Sequence, residues 1–282
     1  MSGTARDFMS HILSRRGVLS GVAASAAAAA LGGCATAGAT RADRVHFVLV
    51  HGAWHGAWCW NKVVPLLREQ GHLVTAVDLP GRWQAPARMA DIRAADYAET
   101  VGQVLRSSPL PVVLVGHSLG GATISLAAEQ HPERIRRLVY LTAFLVPPGQ
   151  AAGRLAMSDR ASLIPKAVRR DAATGVSTID PAFAREVFFQ DCSDDDVRMA
   201  QQLLSPEPPA IGGTPLALTP ERYGRVERVY VECLQDRAIS IGAQRAMHAA
   251  MPCKRVVTMD TSHSPFLSRP HELAAVLSEL AA

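Results

Sequence analysis

The chain predicts an α/β fold: a mostly parallel sheet with helices on both faces and a helical cap insertion. Three observations predict it. Short continuous apolar runs alternate with segments of helical spacing from residue 45 onward. One such run, Val112-Val113-Leu114-Val115, passes straight into Gly116-His117-Ser118-Leu119-Gly120. The alternation then lapses once, over about 146–220, in a stretch that Pro147-Pro148-Gly149 opens.

Each element follows from its own residues. Val45–Val50 reads as an unbroken apolar strand ending at His51-Gly52. Trp60–Gln70 carries Val63, Val64, Leu66 and Leu67 at helical spacing, and Gly71 stops it. Leu73–Leu79 is a second strand, closed by Pro80-Gly81, and Ala90–Leu105 a helix. The strand from Val112 is followed by a helix over Leu119–Gln130 and a strand over Arg137–Phe144. Short helical patterns fill the insertion. Among them, Ser193 before Asp194-Asp195-Asp196 reads as an N-cap with acids at the positive end of a helix dipole, not as a metal cluster. Pro206, Pro208, Pro209, Gly212, Gly213 and Pro215 crowd its end. Arg228–Leu234 and Lys254–Met259 are the last strands, with a helix at Ile241–Ala250 between them and one at Glu272–Leu280 after them.

The N-terminus lies outside this pattern. Ser14-Arg15-Arg16-Gly17-Val18-Leu19, then an uncharged Ala-rich run to Gly33, is laid out as an export signal of the twin-arginine type. Leu31-Gly32-Gly33-Cys34 resembles a lipobox, with Cys34 the lipidated residue. The chain then divides into a signal at 1–34, a tether at 35–44 and one domain at 45–281. The expected location is a bacterial periplasm or membrane surface, with membrane contact only through the lipid anchor. Lys and Arg number 29 against 25 Asp and Glu. Arg6, Arg15, Arg16 and Asp7 lie in the signal, which leaves +2 for the rest. No basic block interleaves with aromatics, so a nucleic-acid partner is not expected. Cys59, Cys192, Cys233 and Cys253 have no metal-ligand spacing and are expected mostly as free, buried thiols; no metal or cofactor is implied.

Gly-His-Ser-Leu-Gly after an apolar strand is a nucleophile elbow, with Ser118 pushed out at the apex of a tight turn. A phosphate loop would need a following Lys or a second glycine pattern, and neither is present. A serine hydroxyl needs a base, which an acid orients, in the chain order Ser, acid, His. Of ten histidines, His248, His263 and His271 follow the late strands. His263 stands in the polar turn after the last strand, whereas the other two fall on helices. Asp236, just after the strand ending at Leu234, is the preferred acid; Asp260 is the rival, three residues from His263 on one turn. The oxyanion that forms on attack needs backbone donors, and the N–H groups of Leu119 and Ala53 are the candidates. His51 and His55 are expected to support the turn that holds Ala53. Trp54, Trp83, Phe144, Phe188 and Phe266 are candidate pocket walls.

The run Val45–Lys62, with His51-Gly52-Ala53-Trp54-His55-Gly56-Ala57-Trp58, resembles the N-terminal signature of the plant methylesterase and hydroxynitrile lyase family, and Ser264-Pro265-Phe266-Leu267 resembles its bacterial esterase relatives. Gly71–Leu79, Gly116–Gly121, Phe188–Cys192 and Arg228–Asp236 extend the resemblance over nearly all of 45–281. It implies an α/β-hydrolase fold and a triad of Ser118, Asp236 and His263. The lyases of that family carry Thr where this chain has Gly52, and Lys where it has Ser264, so the resemblance implies ester hydrolysis. The expected activity is a serine esterase acting on small-molecule carboxylic esters with apolar or aryl groups. A hydroxynitrile lyase and a non-catalytic ligand-binding lipoprotein are the alternatives.

Overall fold

In the computed structural model, residues 44–82 and 86–281 are described. The expected signal, Cys34, nearly all of the tether and Trp83 lie outside them. Eight strands follow in chain order: β1 (His46–Val50), β2 (Leu73–Val77), β3 (Val112–His117), β4 (Ile135–Leu141), β5 (Val168–Arg170), β6 (Ser177–Ile179), β7 (Arg228–Cys233) and β8 (Arg255–Met259). Six form one parallel sheet in the order β2-β1-β3-β4-β7-β8. The chain runs outward from β1 to β2, then returns to β3 and proceeds the other way. That reversal opens a crevice at the carboxyl ends of β1 and β3, where ligands bind in sheets of this kind.

The principal helices are α1 (Val63–Glu69), α2 (Ala94–Ser107), α3 (Gly120–Gln130), α4 (Ala152–Ser158), α5 (Pro181–Phe188), α6 (Asp194–Leu203), α7 (Ile241–Ala250) and α8 (Pro270–Ala281). Strand side chains alternate between faces, so β1 feeds two cores. Phe47 and Leu49 join Val63 and Leu67 of α1 and Leu273 and Leu277 of α8. Val48 and Val50 join Val101 and Leu105 of α2 and Ile124 of α3. Each of these buried side chains contributes about 1.5–3 kcal/mol, which is why the middle of β1 and the start of β3 are unbroken apolar runs.

Where boundaries differ from the sequence expectation, a local bond explains it. The helix expected from Ala90 begins at Ala94, because the Asp96 carboxylate accepts the Arg93 N–H at 2.8 Å and caps the turn there. The strand expected to reach Phe144 ends at Leu141, because Thr142 turns the chain with φ 37°. The cap between β4 and β7 holds α4, α5 and α6 and, besides the helices expected, an antiparallel ribbon of β5 and β6. Ser193 caps α6 by accepting the Asp196 N–H at 3.2 Å, and the Asp196 carboxylate pairs with Lys62 at 2.7 Å. Among the described residues, no helix is long and apolar enough to cross a membrane.

Candidate active site

The carboxyl ends of the adjacent strands β1, β3, β4, β7 and β8 deliver the site. β3 runs into Ser118, which takes φ 53°, the left-handed conformation of an elbow apex. The turn is tight enough to need glycine on both sides. A Cβ at Gly116 would lie 2.7 Å from the Gly120 carbonyl oxygen, and one at Gly120 would lie 2.6 Å from that of His51. The Ser118 carbonyl accepts the N–H of Phe144 at 3.0 Å and that of Gly121 at 3.1 Å, which holds the elbow against the end of β4.

β7 ends just before Asp236 and β8 just before the loop of His263. Asp236 is buried and receives four hydrogen bonds. Its Oδ1 accepts the N–H groups of Ala238 at 2.6 Å and Ile239 at 2.9 Å. Its Oδ2 accepts His263 Nδ1–H at 2.6 Å and the Thr142 hydroxyl. Both carboxylate oxygens are therefore engaged, and the bond to Oδ2 holds the His263 ring with its Nδ1–H toward Asp236. The rival acid is elsewhere: Asp260 bonds Gln235 Nε2 at 3.0 Å and is exposed. His117, the residue before Ser118, donates from Nε2 to the His263 carbonyl oxygen at 2.9 Å, and the two rings lie 4.4 Å apart. The loop that carries His263 is thus tied directly to the elbow.

The turn after β1 is held from within. His51 Nδ1–H donates to the Gly52 carbonyl oxygen at 2.8 Å while its Nε2 accepts the Leu79 N–H at 3.2 Å. His55 Nδ1–H donates to the Ala53 carbonyl oxygen at 2.8 Å. Burial keeps these rings neutral: it depresses His51 and His117 well below the usual histidine range and His55 to about 3. The backbone N–H groups of Ala53 and Leu119 have no acceptor among the described residues. Both residues line one cavity with Ser118.

That cavity measures about 440 Å³. Trp54, Leu119 and Phe144 line it from the body, and Met157, Ile164 and Val168 are among its walls from the cap. Two expected wall residues are placed in the core instead. Phe266 is fully buried against His117 and Trp60, and Phe188 packs against Trp54 and His263. The four described cysteines are free; Cys59, Cys192 and Cys233 are buried and Cys253 is half-buried. Burial raises every one of these thiols, that of Cys253 to about 11, which leaves them protonated and inert.

Residues 47–276 match the model of the alpha/beta hydrolase family. The chain belongs to that family. This alpha/beta hydrolase is 34% identical over 257 residues to methylesterase 9 of Arabidopsis thaliana, covering 84% of this chain and 98% of that one. It is 33% identical to polyneuridine aldehyde esterase of Rauvolfia serpentina, covering 83% of this chain and 95% of the other. Among solved structures, a pyrethroid hydrolase from Sphingobium faniae superposes with a TM-score of 0.77 at 29% identity, over 84% of this chain and 98% of that one.

The site of this hydrolase also contains residues that the sequence pattern did not single out. Thr142 is a hydroxyl residue at the end of an apolar strand, and only that polarity hinted at it. His117 occupies a variable position of the elbow motif, so its tie to the His263 loop had no local signal.

Proposed function

We propose that this carboxylic ester hydrolase works through an acyl-enzyme on Ser118, with His263 as base and Asp236 as its orienting acid. The observation that carries the reading is a convergence. A serine in the strained elbow and two unclaimed N–H groups, at Ala53 and Leu119, border one cavity, and the bonded Asp236–His263 pair is tied to the elbow beside it.

On this reading Ser118 Oγ attacks the ester carbonyl carbon while its proton passes to His263 Nε2. The carbonyl oxygen becomes an anion, which the Ala53 and Leu119 N–H groups receive; each such donor contributes about 3 kcal/mol to the transition state. The carbonyl then reforms, the ester C–O bond breaks, and His263 returns the proton to the departing alcohol. Water repeats the sequence on the acyl-enzyme and releases the acid.

The cavity's apolar walls favour esters with apolar or aryl groups, and the relatives named for methylesterase and pyrethroid hydrolase activity agree with that breadth. Cyanohydrin cleavage does not fit the turn after β1. A Cβ at Gly52 would lie 2.6 Å from that of Ser118, which leaves no room for the lyases' Thr, and Ser264 is fully buried. The arginine pair and Cys34 extend the proposal to an exported, lipid-tethered enzyme of a bacterial envelope.

The test is release of nitrophenol from short-chain aryl esters by the full chain and by Ser118→Ala. Turnover that disappears in the variant supports the mechanism. A variant that keeps turnover, or a folded wild type without any, refutes it.

A further inference from the structure

We propose that Glu207, a cap residue ion-paired with Arg82, is a positioning residue that aims the oxyanion donor of Ala53. The inference rests on the serine-hydrolase reading above and adds to it a part of the cap.

Glu207 lies between Pro206 and Pro208 near the end of the cap, and Arg82 follows the turn after β2. Their side chains are 5% and 2% exposed, with Arg82 Nη2 and Glu207 Oε2 2.6 Å apart. Arg82 Nη1 also donates to the Pro206 carbonyl oxygen at 2.9 Å, and the Tyr97 hydroxyl donates to Glu207 Oε1 at 3.2 Å. Such a pair loses so much hydration that a well-packed apolar pair often serves stability as well or better. Stability alone therefore does not account for it.

Its position does. Glu207 Oε2 accepts the Trp54 N–H at 3.0 Å. A peptide unit is planar and trans, so its N–H and C=O point in opposite directions. The Ala53–Trp54 unit is consequently gripped at both ends, by His55 at the Ala53 oxygen and by Glu207 at the Trp54 nitrogen. The preceding Gly52–Ala53 unit is gripped at its oxygen by His51, which turns the Ala53 N–H the opposite way.

Trp54 needs that grip. It holds φ 60°, a conformation that a bulky residue keeps only where its surroundings impose it. The cap imposes it at three points. Besides Glu207, Ser205 donates its N–H to the Trp54 carbonyl oxygen at 2.8 Å, and Ser177 Oγ accepts the indole N–H at 3.1 Å. Ser177 and Glu207 are themselves joined by a pair of backbone hydrogen bonds, so the cap presents them as one unit. The cap thus builds the catalytic turn as well as walling the pocket.

The test uses the full chain with the paired replacement Arg82→Met/Glu207→Leu, which removes both buried charges together. A second variant, Ser177→Ala, loses one grip on Trp54 and leaves the ion pair intact. Each is compared with wild type for kcat and KM on an aryl ester, for the affinity of the carboxylate product, and for inhibition by an aryl trifluoromethyl ketone. That ketone adds Ser118 Oγ to its carbonyl carbon, passes the serine proton to His263 and leaves its oxygen as the anion that the donors receive. The expected result is a kcat about tenfold or more lower in the pair variant, with trifluoromethyl ketone affinity weakened by the same factor. KM and product affinity should stay within about twofold. Ser177→Ala should show the same pattern at smaller size. A pair variant that folds and keeps kcat and ketone affinity overturns the proposal, as does an unchanged Ser177→Ala if the pair variant fails to fold. Retained turnover in Ser118→Ala would instead overturn the underlying reading.

Discussion

The neutral histidines around the site make the fold's stability depend on acidity in a calculable way. His55 is held at about 3 by burial, against 6.5 for an unperturbed side chain. It is a base whose folded value is depressed, so unfolding takes up a proton between about pH 3 and 6.5. Its contribution is complete above that value, erodes as the pH falls, and stops changing below about 3. Each unit costs about 1.4 kcal/mol, so acidification from pH 6.5 to 5 removes about 2 kcal/mol through this side chain alone. Burial depresses His51 and His117 in the same direction and steepens the loss. A domain of this kind has about 5–15 kcal/mol in all, so the effect is large. The assay is urea denaturation followed by circular dichroism at several values from pH 7.5 to 5, on wild type and His55→Asn. Asparagine keeps a donor for the Ala53 carbonyl and takes up no proton in this range. The variant should be less stable at pH 7.5, yet lose stability with a slope shallower by up to about 1.4 kcal/mol per unit. Equal slopes would refute the reasoning, because His55 would then not be the group that takes up the proton.

Two further predictions concern the site itself. Thr142→Val keeps the branched shape at φ 37° and deletes only the hydroxyl that bonds Asp236; losing a hydrogen bond to a charged group costs about 1.5–3 kcal/mol, and the expected tenfold or greater fall in kcat is read from steady-state ester hydrolysis. Gly52→Thr brings a Cβ to 2.6 Å from that of Ser118; esterase activity should fall at least a hundredfold, with no cyanide released from mandelonitrile, and an active variant would show that the turn after β1 yields more easily than its bonds imply.

Much of this architecture was legible because its signals are local. Continuous apolar runs mark strands buried on both faces, and β1 and β3 fall where such runs stand, while β4 and β7 show theirs as shorter apolar stretches. The elbow is a five-residue pattern that announces its own geometry. Chain order leaves His248, His263 and His271, the polar turn after the last strand singles out His263, and the structure bonds it to Asp236 and not to Asp260. What stayed hidden depends on residues far apart in sequence. Arg82 and Glu207 are 125 positions apart, and each sits in a Pro/Gly-containing stretch without periodicity. The strands β5 and β6 have three residues each, too short for an alternation to show. Apolarity says that Phe188 and Phe266 leave water, but not whether they face a cavity or a core. Both took the core, where their rings close around His117 and His263.

The three described residues other than glycine that hold positive φ are Trp54, Ser118 and Thr142, and they follow three strands adjacent in the sheet, β1, β3 and β4. Each carries a backbone penalty of roughly 1–3 kcal/mol. Heat tolerance and turnover therefore pull in opposite directions at one small patch. Replacements that relax these positions are the easiest way to a hardier molecule and the surest way to an idle one. A laboratory lineage selected only for survival at high temperature should drift there first, whereas one selected for ester turnover should find its added robustness in the helices and the outer strands.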